Sequence, residues 1–295
     1  MINVLSFASH FVYGMDRKEF TRNLMLKSVG AGLNTMGVFA PRKAAEVALD
    51  IFCTPRNGEI KSFQKKFLKK FKQVELDYEG LPVMTYDNGK SGRKVLLCHG
   101  WESNSFRWRK LYRALKDTNL NIIMMDAPAH GATGSEKFQA LLYGQMIDVV
   151  AQYYQPQTIL GHSVGGYSTI FYASQYAPNF VEDLIILASP DRLEDITKRY
   201  FTMIGLGNRV GKRYYRLIKE RFGRDITHYN ASDYASTLNM EGLIIHDKED
   251  DVNLYYEAEA IHSKWTKSRL VSTHGLGHSL QDEDVYKTIK EALIK

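Results

Sequence analysis

The sequence predicts an α/β protein with a doubly wound, mostly parallel sheet, preceded by a helical extension and interrupted by a helical insertion. Three observations lead there. From Gln73 onward, short apolar runs alternate with amphipathic stretches, the pattern of strands joined by crossover helices. The run 94–98 is apolar from Val95 to Cys98, as a strand covered on both faces must be. The run 158–160 passes through a glycine-rich turn into a helix-competent segment beginning near Tyr167.

Residues 1–72 read as a helical, basic N-terminal extension. Ala44, Val47, Ala48 and Ile51 form a helical stripe, with Pro41 suited to a helix start and Pro55 to a stop. Residues 61–72 are rich in lysine, with Phe63, Phe67, Leu68 and Phe71 on one side. Such a segment normally packs its aromatic stripe on its own domain; peripheral contact with an anionic membrane is the second reading.

The remainder, 73–295, opens with strands 74–78 and 83–87 around Glu79-Gly80-Leu81-Pro82, a hairpin. Further strands are expected at 94–98, 121–125, 158–160, 184–188, 243–246 and 269–273. Helices are expected at 106–115, 138–153, 165–176, 256–265 and 283–294. The interval 191–240 is too long for one crossover and holds two helical stretches, 193–204 and 210–221, joined by Gly205-Leu206-Gly207. Insertions of that length are usually lids or subdomains. Its Tyr200, Phe201, Tyr214 and Tyr215 fit a pocket lining or the insertion's own packing.

Of the 295 residues, 44% are hydrophobic and 24% charged, which places the chain with ordinary globular proteins and excludes fibrous and disordered classes. The net charge of +6 does not point to nucleic acid, because residues 1–75 hold thirteen Lys and Arg against six Asp and Glu, leaving 76–295 at −1. Cys53 and Cys98 sit in apolar surroundings and read as reduced thiols. No apolar run reaches the 18 or so residues that span a bilayer, and the first residues lack a basic start, so a cytoplasmic location is expected. The spacing fixes no oligomeric state.

Chemistry collects where the strands end, because an open α/β sheet binds ligands at its carboxyl edge. There stand His99-Gly100-Trp101-Glu102, Asp126-Ala127-Pro128-Ala129-His130-Gly131, Gly161-His162-Ser163-Val164-Gly165, Asp247-Lys248-Glu249-Asp250-Asp251 and His274-Gly275-Leu276-Gly277-His278. The third is G-x-S-x-G, a strained strand-to-helix turn that lifts a serine hydroxyl above the sheet. A serine hydroxyl becomes a nucleophile when an imidazole takes its proton, and the imidazole needs a carboxylate to fix its tautomer. Backbone N–H groups of Val164, after the serine, and Trp101, after His99-Gly100, are placed to meet an oxyanion. The acid stays open among Asp247, Glu249, Asp250, Asp251 and, one strand earlier, Asp191. The base stays open between His278 and His274, while His162 and His130 read as packing neighbours. No histidine shows H-E-x-x-H or comparable spacing, so no metal and no cofactor is expected.

From about Gln73 onward the chain resembles the α/β-hydrolase fold superfamily, most closely esterase-like serine hydrolases of bacteria. The five motifs above, in the order nucleophile, acid, histidine, carry the resemblance. It implies a catalytic Ser163, Asp250 and His278 with an oxyanion hole at Trp101 and Val164. It also implies cleavage of a carboxylic ester, or a thioester or amide, in a small acyl substrate through an acyl-serine. Two alternatives keep the fold: an acyltransferase with the same three residues, and a non-catalytic ligand-binding protein.

Overall fold

The computed structural model describes residues 17–294, so the first residues of the chain, including the start read above for a signal, lie outside the described residues. The sheet has eight strands: β1 (Lys72–Tyr78), β2 (Leu81–Asp87), β3 (Lys94–Cys98), β4 (Asn121–Met125), β5 (Thr158–His162), β6 (Asp183–Leu187), β7 (Glu241–Asp247) and β8 (Ser268–Thr273). Their order is β1-β2-β4-β3-β5-β6-β7-β8. β1 and β2 form the expected hairpin, β2 runs antiparallel to β4, and every later pairing is parallel. β3, β4 and β5, buried along their length except at Lys94, are the centre. Alternate side chains feed two cores: one holds Leu96, Ile123, Ile159 and Ile186, the other Val95, Leu97, Leu160 and Ile245.

The chain divides into two compact units, and the division crosses the boundaries expected at residue 72 and at 191–240. The sheet unit comprises residues 53–193 and 229–295. Within it, residues 53–71 are bound to the sheet rather than to the preceding helices: Phe138 N–H donates to Cys53 O at 2.7 Å and Gly131 N–H to Gly58 O at 3.0 Å. The lysine-rich stretch forms helix Ser62–Leu68, shorter than expected because β1 claims Lys72. Most of its stripe packs inward, with Leu68 and Phe71 buried and Phe67 and Phe71 in ring contact with Tyr112, while Phe63 stays exposed. Where the insertion leaves and returns, Ala231 N–H donates to Asp191 O and Leu193 N–H to Tyr229 O.

The helical unit joins the described residues up to Phe52 with Glu194–His228. Helix Arg17–Phe39 buries Leu26, Gly30, Leu33 and Gly37, a spacing of four, three and four that makes one face. A methyl group on Gly30 would stand 1.7 Å from Ile204 O, so two backbones meet there with no room for a side chain. Lys27 Nζ and Asn34 Nδ2 donate to Thr202 O and Gly205 O, satisfying carbonyls at the end of helix Leu193–Ile204. Phe201 stands against Tyr200, Tyr214 and Tyr215, and Tyr200 donates to Ala48 O. Those aromatics pack within the unit, and Phe201 and Tyr215 also line a cavity beside Lys198, Gly207 and Lys212. No described helix is long and apolar enough to cross a membrane.

Candidate active site

Ser163 closes β5 and opens helix Val164–Tyr176, and its backbone sits at φ 56° and ψ −130°. A positive φ is strained for a residue with a Cβ, and it turns the side chain away from the helix. The neighbours make the turn sterically feasible. A Cβ on Gly165 would lie 2.4 Å from His99 O, and one on Gly100 would lie 2.8 Å from the Ser163 Cβ. Ser163 N–H donates to Leu187 O at 2.8 Å, tying the turn to β6.

His278 and Asp250 complete a chain of hydrogen bonds with it. His278 Nε2 stands 3.1 Å from Ser163 Oγ, and His278 Nδ1 stands 2.9 Å from Asp250 Oδ2. Asp250 is buried, and its Oδ1 accepts from Val252 N–H at 2.8 Å and Asn253 N–H at 3.0 Å. Its Oδ2 also lies 3.3 Å from His246 Nε2. Burial alone would raise its carboxyl, but hydrogen bonds from His246 and His278, with the charge of the latter, hold it well below the usual carboxylate range. The carboxylate is ionised at neutral pH, and its contact fixes the proton of His278 on Nδ1, leaving Nε2 to accept from the serine.

The rival acids are placed elsewhere. Asp251 is exposed, and Glu249 lies out in solvent, 4.0 Å from an equally exposed His274. Asp191 accepts from Ser232 N–H and so starts helix Ala231–Ala235. Asp247, fully buried, accepts from Thr273 Oγ1 at 2.6 Å and Leu276 N–H at 3.1 Å. It therefore anchors the loop that carries His278, through bonds that lower its carboxyl against the opposing effect of burial.

His99 is not a base. Its Nδ1–H donates to Gly100 O at 2.8 Å and its Nε2 accepts from Ala127 N–H at 2.9 Å, so both nitrogens are used by backbone. Burial, followed by the nearby His130, pushes it down to about 3. His130 makes a matching pair, to Pro128 O and from Glu102 N–H. Together they staple the segment Gly100–Trp101–Glu102 to the loop after β4. Asp126 reinforces the same loop, accepting from Ser105 N–H, Ala132 N–H and Tyr86 OH. The N–H groups of Trp101 and Val164 donate to no backbone acceptor among the described residues.

Two groups around His278 escape a reading of the sequence. His162 Nε2–H donates to His278 O at 2.9 Å, and Arg107 Nη2–H donates to Ser279 O at 2.7 Å. They hold the carbonyls of the turn that bears His278, while burial and then Arg107 keep His162 well below the ordinary histidine range. Nothing in the sequence distinguishes Arg107 from the other cations of its helix; His162 was visible as a motif neighbour, without its bond. No group of three or more His, Cys, Asp or Glu residues suited to a metal occurs among the described residues.

Comparison with known proteins places this geometry. Residues 95–288 match the model of a family described as the alpha/beta hydrolase family. Among solved structures, Est1E from Butyrivibrio proteoclasticus with ferulic acid bound is 17% identical, with a TM-score of 0.59 over 75% of this chain and 96% of its own. The thioesterase domain from the curacin biosynthetic pathway is 14% identical, with a TM-score of 0.57 over 76% of this chain and 99% of that one. A meta-cleavage product hydrolase from Pseudomonas fluorescens IP01 is 16% identical, with a TM-score of 0.56 over 76% and 97%. At these identities the likeness is one of fold. No curated protein sequence matches the chain.

Proposed function

The chain belongs to the alpha/beta hydrolase family, and from that premise we propose that it is a serine hydrolase cleaving carboxylic esters through an acyl-Ser163 intermediate. The observation that carries the reading is the unbroken path Asp250–His278–Ser163, with contacts of 2.9 and 3.1 Å, ending on a serine held at positive φ.

In this reading Ser163 Oγ–H gives its proton to His278 Nε2 as Oγ forms a bond to the acyl carbonyl carbon. The carbonyl oxygen takes the negative charge, and the uncommitted N–H groups of Trp101 and Val164 donate to it. Asp250 stabilises the imidazolium, which returns the proton to the departing alkoxide. Water then repeats the sequence: its proton goes to His278, its oxygen to the acyl carbon, and Ser163 leaves with its proton restored. The stapled loop matters because an oxyanion hole works only if its donors are already aimed. Thioesters and amides would follow the same path with a different leaving group.

A fluorophosphonate probe tests the nucleophile. The wild type is expected to become labelled and to turn over short p-nitrophenyl esters; Ser163→Ala should lose both. Persistent labelling of the variant would remove Ser163 from the role, and tight binding of an acyl ester without turnover by the wild type would favour a binding protein.

A further inference from the structure

The exposed, uncharged side of helix Arg17–Phe39 is used by neither the helical packing nor the proposed chemistry. Opposite the buried Leu26, Gly30, Leu33 and Gly37 stand Leu24, Met25, Met36, Val38 and Phe39, exposed at 58%, 62%, 38%, 53% and 86%. Exposed apolar side chains scattered singly are ordinary, but five on one helix face form a patch. Between them the face holds only Ser28, Ala31, Gly32 and Thr35. The hydroxyls of Ser28 and Thr35 are already spent, donating to Leu24 O at 2.8 Å and Ala31 O at 3.0 Å. The face can therefore leave water without stranding a side-chain polar group.

The charge of the molecule lies in the same unit. Its described residues carry fifteen Lys and Arg against seven Asp and Glu, whereas the sheet unit carries twenty-four against twenty-five. On helix Asn208–Phe222, the exposed Arg209, Lys212, Arg216 and Lys219 follow a spacing of three, four and three, a basic stripe whose last member pairs with Asp225 at 3.0 Å. Arg209 Nη2–H donates to Val38 O at 3.1 Å, which sets that cation at the edge of the apolar patch beside Phe39. Arg42 and Lys43 follow Phe39 in the chain and are exposed, each paired with Glu46, at 3.2 and 3.8 Å.

We propose that the helical unit docks on an anionic phospholipid surface, with helix Arg17–Phe39 lying in the interface on its Leu24–Phe39 face and the surrounding cations meeting lipid phosphates. An apolar helix face with a basic surround is the chemistry of interfacial helices, whose binding combines apolar burial with attraction to anionic lipid. A second copy of this chain fits less well, because a self-complementary contact would set like charges against each other. Residues 1–16 carry a single charged residue, Asp16, against the four cations of the stripe. The contact differs from the one the lysine-rich residues 61–72 suggested, since that stripe is packed on the sheet unit. It does not depend on the role given to Ser163.

Sedimentation of the full-length protein with vesicles tests it. Binding is expected to phosphatidylcholine vesicles containing phosphatidylglycerol and not to phosphatidylcholine alone, and high salt should release it. The combined substitution Leu24→Ser, Met25→Ser and Phe39→Ser should lower partitioning by about tenfold or more, as should Lys212→Glu with Arg216→Glu. Phe63→Ser, on an exposed aromatic of the sheet unit, should leave it unchanged. No binding to anionic vesicles at low salt, or binding untouched by both sets of substitutions, would overturn the proposal. So would a concentration-dependent dimer that ignores vesicles, which would give the face to a second copy.

Discussion

At Asp250 two imidazoles and two backbone N–H groups converge on one buried carboxylate, which both holds its charge and directs His278. Asp250→Asn keeps the volume while removing the charge and allowing the wrong tautomer of His278. The expected result is a fall in kcat of roughly 10³ to 10⁴-fold on a p-nitrophenyl ester, with KM little changed. A loss smaller than about tenfold would move the orienting role elsewhere. The G-x-S-x-G motif singled out Ser163 in the sequence, whereas His278 was preferred to His274 only through the family resemblance. The choice of Asp250 over Asp251 came only with the family resemblance, because the physical difference between them is burial, and adjacent loop residues carry no mark of which one turns inward. The clamps at His162 and Arg107 were illegible for a similar reason: both act through carbonyls of a distant turn, 116 and 172 residues away.

At the level of elements, helix Arg17–Phe39 carries two glycines two positions apart with opposite surroundings. Gly30 has Ile204 O where a Cβ would go, and Gly32 has nothing within 4 Å. Gly30→Ala is therefore expected to force the helices apart and destabilise the protein by about 1–3 kcal/mol, as overpacking does. Gly32→Ala should stabilise by about 0.5–1 kcal/mol, because alanine gives up less backbone freedom in a helix. Thermal unfolding of both variants checks the pair; a Gly30→Ala protein as stable as wild type would show that this crossing is loose. The strands and their crossover rhythm were readable from apolar runs, since each run records its own burial, but their order in the sheet was not. The helical unit was not, because its two segments look like independent additions. Their shared core exists only once Gly30 and Ile204 are known to touch, and a glycine inside a helix reads as weakness before it reads as contact.

For the whole molecule, buried neutral histidines lower stability in acid, against the opposite contribution of Asp126 and Asp191, whose carboxyls burial raises. His99, His130 and His162 all lie below the ordinary histidine value, burial being the first cause in each. Above about pH 6.5 neither the folded nor the unfolded chain protonates them, and their contribution to stability is complete. As pH falls below that value the unfolded chain takes up protons that the native state refuses, so stability declines by about 1.4 kcal/mol per pH unit for each histidine. For His99 the decline continues to about pH 3, where the native state protonates too. The depressed Asp250 and Asp247 add to the loss only below about pH 4, in the range where unfolded carboxylates titrate. A melting temperature that stays flat between neutral pH and pH 5 would contradict this.

The helical unit also has a history in time. Lys27 and Thr202, which meet within it, are separated by 175 residues of chain. At a synthesis rate of about 5–20 residues per second, the first helix leaves the ribosome about 9–35 s before its partner exists. Through that interval the face built around Leu26 and Leu33 lacks the partners that the insertion supplies, so the nascent chain carries apolar side chains on two sides of one helix until the insertion arrives.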